Sequence, residues 1–366
     1  MSNKIAAMGD FQLGFKQYGM EIREQDFRSA FARVIQCCID QEIKVFIIAG
    51  DLYNAAKPSG DLVYFVKEQV DKLHANHIEV YGIDGNHDIS TNFWLRLADI
   101  EPLHGRSVNC VNCNITLAGL NWCRPNLFYS ELGLFVKKLR DMKIKHVDYF
   151  VFHQLFDEFI PFQAGIITAT GVSNMIAEFT PKAVLLGDLH DSVQLEVGGI
   201  PFVYTGSSEL NSVNEKENKF LAIIEDSKVN RIPLVTRSFI HKYIQTEKDL
   251  DGLLAAYPRE VEKMPVLFIE YDNDAKELAK RASNILKENK ALFRLLPLVK
   301  ADNKSILAQL THDADLSRNN TIGYLKEAVE SCFDPKSDEY QLIFQLINSP
   351  DDISDVIDSY SKSKNL

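Results

Sequence analysis

Val45-Phe46-Ile47-Ile48-Ala49-Gly50-Asp51 is a short apolar run that stops on a glycine and delivers a carboxylate. So compact a run, rich in Val and Ile, reads as a strand buried on both faces. Residues 4–8 and 79–83 repeat the pattern on either side. Between the three runs lie helical periods. Phe27, Ala30, Phe31, Val34 and Cys38 recur at helical spacing, as do Leu62, Phe65, Val66, Val70 and Leu73. Strands alternating with helices of this length make βαβ units, so the fold class is α/β, with a sheet covered on both faces. Residues 149–152 and 183–186 supply further strands beyond an irregular stretch at 110–125.

From about 195 to 235 the pattern turns to strands and turns, punctuated by Gly198-Gly199 and Tyr204-Thr205-Gly206-Ser207, and a second sheet is expected there. Residues 239–244, 266–271 and 295–299 then read as strands separated by helices near 250–257 and 275–289, a small βαβαβ unit. After a polar joint at 313–320, amphipathic helices are expected at 322–331, 340–347 and 353–360. The expected division is 1–237, 238–312 and 313–366.

The 366 residues, 46% hydrophobic and 25% charged, suit a globular protein of two or three units. No apolar run approaches the roughly 20 residues of a membrane span, and the first residues carry no secretory apolar core, so a cytoplasmic location is expected. Six scattered cysteines read as reduced thiols, and Cys110-x-x-Cys113 as a hairpin with small buried thiols, since Cys123 is the one nearby candidate to add to a zinc site. A net charge of -11 excludes a simple electrostatic nucleic-acid binder. A nucleic-acid substrate therefore requires metal ions, a local basic patch or a partner to supply positive potential.

Five polar motifs each follow an apolar strand: Asp10-Phe11-Gln12, Gly50-Asp51, Gly85-Asn86-His87-Asp88, His153, and Gly187-Asp188-Leu189-His190. One Gly-Asp pair is ordinary turn chemistry. Five in order at strand carboxyl ends, where open α/β sheets bind ligands, bring carboxylates, imidazoles and an amide to one crevice. Those donor types suit divalent cations.

In these motifs the sequence resembles the calcineurin-like metallophosphoesterases, and more closely the nuclease subunits of the Mre-eleven/SbcD family, which phages also encode. Ala49-Gly50-Asp51-Leu52-Tyr53, Lys57-Pro58-Ser59, Arg23-Glu24-x-x-Phe27 and Tyr204-x-Gly206-Ser207 add to the likeness, which covers about the first 240 residues. The resemblance implies a four-layer sandwich of two β-sheets flanked by helices, a small α/β cap over DNA, and a helical tail docking an SbcC/Rad-fifty-type ATPase. It implies two divalent ions, Mn²⁺ before Mg²⁺, bridged by Asp51. One position adds Asp10, Gln12 and His190; the other adds Asn86, His153 and Asp188. His87 resembles the family's transition-state stabiliser and proton donor, with Asp88 orienting it. Lys16, Asn54, Lys57 and Arg124 are the candidates to meet DNA.

Three positions depart from the family pattern. Gln12 stands in place of a His, Asp188 in place of the first His of G-H-x-H, and Asn54 where relatives carry a His near the scissile phosphate. The reading that follows is an exo- and endonuclease that processes DNA ends in repair, recombination and replication. It would act in an SbcCD-like complex, as a homodimer within a heterotetramer, in a bacterial or phage-infected cell. A non-catalytic DNA-end or ATPase-binding scaffold with a drifted metal site and a small-molecule phosphodiesterase are the alternatives.

Overall fold

The computed structural model describes residues 4–159, 167–213, 215, 218–225, 228–257 and 263–298. The chain opens with β1 (Ile5–Met8), α1 (Glu21–Asp40), β2 (Val45–Ala49), α2 (Gly60–Ala75), β3 (Glu79–Ile83), α3 (Phe93–Leu97) and β4 (Glu101–Pro102). Strands β1 to β4 lie parallel, side by side. The chain then crosses to a second sheet through β5 (Arg106–Asn109), β6 (Thr116–Leu120), α4 (Pro125–Asp141), β7 (Tyr149–His153), α5 (Ala169–Ile176), β8 (Ala183–Gly187), β9 (Val193–Val197) and β10 (Ile200–Tyr204). It returns through β11 (Lys219–Glu225) and β12 (Lys228–Leu234), which pair antiparallel on the free side of β1. The two six-stranded sheets run β12-β11-β1-β2-β3-β4 and β5-β6-β7-β8-β10-β9.

This corrects one expectation. The second sheet does not begin near residue 195; it already contains β5 to β8, while β11 and β12 belong to the first. Apolar runs look the same whichever sheet they join, so the sequence pattern does not record the crossing.

The alternation of each strand explains the layering. Phe46 and Ile48 pack outward with Phe31 and Val34 of α1 and Val66 and Val70 of α2. Their neighbours Val45, Ile47 and Ala49 face the other sheet, against Val151, Leu185 and Val203. On the far side, Phe150, Phe152, Val184 and Leu186 pack under Phe128, Leu132 and Phe135 of α4 and Val172 and Ile176 of α5. Three apolar layers between four structural layers result, each buried large side chain contributing about 1.5–3 kcal/mol relative to exposure. Helix α2 starts where Ser59 accepts the Leu62 N–H.

The Cys110-x-x-Cys113 turn joins β5 to β6 with both thiols buried, and no candidate metal cluster among the described residues includes a cysteine. No described helix is long and apolar enough to cross a membrane.

The smaller unit comprises β13 (Phe239–Tyr243), α6 (Glu247–Ala256), β14 (Val266–Asp272), α7 (Lys276–Glu288) and β15 (Leu292–Leu298), with parallel order β13-β14-β15. Its last strand starts three residues before the expected one. A buried charged seam ties it to α1. Asp26 accepts from Arg23 at 2.7 Å and from Arg237 at 2.5 and 2.9 Å, and Glu209 accepts from Lys263 at 2.9 Å and the Arg237 N–H at 3.1 Å. Beside the seam, the Tyr18 ring meets Phe239 and Phe268 edge-on, with Arg294 over its face. The helices expected at 322–331, 340–347 and 353–360 lie outside the described residues.

Candidate metal centre

The five motifs emerge at the carboxyl ends of β1, β2, β3, β7 and β8, the first three from one sheet and the last two from the other. The crevice lies between sheet ends, and the two sheets are joined at its base. The Gly9 N–H donates to Thr205 Oγ1 at 2.9 Å, and that hydroxyl donates to the Leu186 carbonyl.

The backbone is bent to aim the donors. Asp10, Gln12, Asp51 and Asp188 all have positive φ (53°, 47°, 50° and 86°). Left-handed backbone costs about 1 kcal/mol at a residue with a Cβ, and such strain concentrates at functional sites. Two glycines allow the close approach. A Cβ on Gly85 would stand 2.1 Å from Asp51 Oδ1, and one on Gly187 would stand 2.0 Å from the Ala49 carbonyl oxygen.

Asp10, Asp51 and His153 bring one donor atom each within 4.8 Å of one another, and all three are buried. His153 Nδ1 meets the Ala49 carbonyl at 2.7 Å, leaving Nε2 to face Asn86 Oδ1 at 3.0 Å, Asp51 Oδ2 at 3.6 Å, Asp188 Oδ1 at 3.9 Å and Asp10 Oδ1 at 4.0 Å. His190 Nε2 lies 3.9 Å from Asp10 Oδ1. The Asp188 N–H donates to Asp10 at 3.1 Å. Gln12 Nε2 donates to Asp51 Oδ2 at 2.6 Å, and its buried Oε1 has no hydrogen-bond partner. All seven residues expected to hold metal therefore meet in one cluster.

Without cations the charges balance only by taking up protons. Burial raises the Asp10 carboxyl to about 7, against the pull of His153 and His190. Burial opposes ionisation of Asp51 too, but His153 and His87 outweigh it and hold Asp51 at about 2. Burial also opposes a charge on His153, yet Asp51, Asp10 and Asp188 raise it well above the ordinary range. In the metal-free protein, protons on His153 and Asp10 stand where positive charge is wanted. Three carboxylates, two imidazoles, the Asn86 amide and the orphaned Gln12 carbonyl are a donor set that fits hard divalent cations.

His87 sits at the mouth, its side chain 31% exposed, with Nε2 3.9 Å from Asp51 Oδ2. Its Nδ1 lies 3.3 Å from the Asn54 carbonyl. Asp88 does not orient this ring, contrary to the expectation. Its carboxylate turns inward and accepts the Gly85 N–H at 2.7 Å and the Tyr53 N–H at 3.1 Å, pinning the loop to the β2 turn. Burial, Asp51 and Asp84 raise Asp88 to about 8 against those two N–H groups. A carboxylate that closes a strand-end turn is drawn to the turn's backbone donors before a neighbour's ring.

Of the residues expected to meet DNA, Asn54 contributes its backbone to His87. Lys16 is 53% exposed and pairs with Glu21 at 2.7 Å, while Lys57 and Arg124 are exposed. Two anchors escaped the sequence reading. Asp84 accepts from the Ser90 and Asn92 N–H groups and so fixes the loop carrying Asn86 and His87; its signal was its place directly before Gly85. Glu215 accepts from His190 at 2.7 Å across 25 positions of chain, and no local pattern marks it.

The family model of calcineurin-like phosphoesterases matches residues 3–192. The DNA double-strand break repair protein Mre11 of Methanosarcina mazei is 28% identical over 286 residues, covering 74% of this chain and 45% of that one. The protein of the same name from Methanosarcina acetivorans is 29% identical over 289 residues, covering 74% and 46%. That from Methanocaldococcus jannaschii is 23% identical over 313 residues, covering 78% and 81%. The chain thus spans just under half the length of the two Methanosarcina relatives.

Proposed function

The chain belongs to the calcineurin-like phosphoesterase family, and from that premise we propose that it is a metal-dependent DNA nuclease acting on DNA ends. The observation that carries the reading is the buried Asp10-Asp51-His153 cluster with a partly exposed imidazole, His87, at its mouth. The likeness to proteins named for DNA double-strand break repair supports DNA as the polymer.

Two divalent ions, when bound, supply Lewis-acid neutralisation of phosphate charge and activation of water. Asp10, Gln12 and His190 would hold one ion and Asn86, His153 and Asp188 the other, with Asp51 contributing to both. Hydrolysis breaks the bond between phosphorus and the 3′ oxygen as water adds to phosphorus, leaving a 3′-hydroxyl and a 5′-phosphate. His87 donates the proton that the leaving oxygen takes. The Asn54 carbonyl holds the Nδ1 side of its ring, so Nε2 faces the reacting centre. Asp10 and Asp51 repel an unneutralised phosphate, which makes catalysis conditional on the cations. Mn²⁺ is favoured over Mg²⁺, since His153 and His190 are nitrogen donors.

Two partners complete the reading. An SbcC/Rad50-type ATPase would gate access to ends. A second copy of the chain would pack on α2 and α3, which turn Tyr64, Phe93 and Leu97 outward at 64%, 55% and 50% exposure.

The test is a Mn²⁺ titration of the full chain against end-labelled linear and hairpin DNA, beside Asn86→Ala and His87→Ala. Degradation by the wild type that both substitutions abolish is expected. Cleavage preserved in both would remove the site assignment. Mn²⁺ and DNA binding without cleavage would favour the scaffold, a reading motivated by Gln12 and Asp188 standing where the family pattern has histidines.

A further inference from the structure

His153 and His190 enter the cluster from the same sheet, but they are held differently. His153 leans on a neutral backbone carbonyl. His190 leans on a charged side chain: its Nδ1 lies 2.7 Å from Glu215 Oε1, and the Glu215 side chain is only 6% exposed. The other oxygen, Oε2, accepts from Lys219 Nζ at 2.7 Å and from the Asn211 N–H at 3.1 Å. Lys219 is itself buried and donates to the His190 carbonyl at 2.9 Å, which also receives the Ser207 N–H at 3.1 Å. The Tyr204-Thr205-Gly206-Ser207 turn and the segment after it thus grip His190 by both its ring and its backbone.

A carboxylate on one nitrogen of an imidazole fixes which nitrogen carries the proton, fixes the ring plane, and raises the basicity of the other nitrogen as a ligand. Here the free nitrogen is Nε2, which faces Asp10. Lys219 neutralises Glu215, so the tether adds no net charge to a cluster already rich in carboxylates. His190 matters more than His153 to its own donor set. Its companions are a carboxylate, Asp10, and an amide, Gln12, whose Nε2 is spent on Asp51. It is the one nitrogen ligand of that set.

We infer that Glu215 is a positioning residue for one half of the metal centre, orienting His190 toward the divalent cation it would share with Asp10 and Gln12, with Lys219 holding Glu215 in place. The inference rests on the metal-centre reading of the preceding section.

The test uses the full chain with Glu215→Ala and Glu215→Gln. Mn²⁺ affinity and stoichiometry are measured by calorimetry and by the electron paramagnetic resonance signal of exchange-coupled ion pairs, with thermal melts alongside. The wild type should bind two ions. Glu215→Ala should weaken one of the two by about 10- to 100-fold, the size of loss seen when such outer partners are removed, and lose the coupled signal at limiting Mn²⁺. The other ion should be held as before. Glu215→Gln keeps a carbonyl oxygen to accept from Nδ1 and should recover most of the affinity. Unchanged affinities in Glu215→Ala, or equal weakening of both ions with a lowered melting temperature, would overturn the inference while leaving the metal centre standing. Failure of Glu215→Gln to recover either ion would overturn it as well. A wild type that binds no Mn²⁺ would instead overturn the functional reading, and this inference with it.

Discussion

The protein buries two clusters of charge, and they are built on opposite principles. At the seam between α1 and the smaller unit, Arg23, Arg237 and Lys263 face Asp26 and Glu209, each carboxylate oxygen accepting from cationic or backbone donors. At the crevice, Asp10, Asp51 and Asp188 crowd around His153 and His190, and the ion-pair partners of these three carboxylates among the described residues are imidazoles. The first cluster is complete within the chain, because its desolvation cost is offset by paired geometry. The second is complete only with cations from outside. Carboxylates partnered by guanidinium and ammonium groups hold the fold; carboxylates faced by imidazoles, which must take up protons to pair with them, mark a place for cations.

The sharpest way to break the comparison is Asp51→Asn. Nuclease activity should fall about 10⁴-fold, equivalent to roughly 5.4 kcal/mol, while the metal-free protein should melt only modestly lower than wild type, because His153 and the Gln12 amide lose a charged partner that the fold holds ionised. A large loss of melting temperature would make Asp51 as structural as the seam. Asp26→Ala should behave oppositely. It strands Arg23 and Arg237 and should cost about 3–5 kcal/mol of stability, read by denaturant melts, with no rescue by Mn²⁺.

Metal addition comes next. At 100 times its dissociation constant, one Mn²⁺ should stabilise the wild type by about 2.7 kcal/mol and Asp51→Asn by much less. At a fixed Mn²⁺ concentration the shift should depend on pH. Asp10 is raised to about 7, so between roughly pH 4 and 7 the folded protein holds a proton that the unfolded chain releases. Metal-free stability should therefore decline across that window as pH rises, and the Mn²⁺-induced shift should grow, since the ion displaces the proton. A shift independent of pH from 5 to 8 would argue against Asp10 as a ligand. The smallest effect is at the surface. Lys67 bridges Asp71 and Asp99 at 3.0 and 2.8 Å in the open, and Lys67→Ala should leave a denaturant melt unchanged within its error.

How much of this was legible beforehand differs between the two clusters. Asp10, Asp51, Asn86 and His190 stand in short motifs directly after apolar runs, so strand-end logic was enough to gather them. Nothing local pointed to Asp26, Glu209 or Arg237 as partners, because the seam joins positions up to 211 apart in the chain. Asp88 shows the opposite failure. Its place beside His87 suggested a partnership, but adjacent side chains on a tight loop point apart, and its carboxylate went to the Gly85 and Tyr53 N–H groups.

The sequence by itself determined β1 to β3, β7 and β8, the helices α1 and α2, and which polar residues stand at those strand ends, because hydrophobic period and turn chemistry are local properties of a chain; β5, β6, α4 and α5 went unread in and around the stretch that looked irregular. Only the tertiary structure decided that β7 and β8 lie in a different sheet from β1 to β3, that Asp10, Gln12, Asp51 and Asp188 adopt positive φ, and that Glu215 grips His190. Those depend on which surfaces meet after folding, and an apolar residue carries no mark of the surface it will cover.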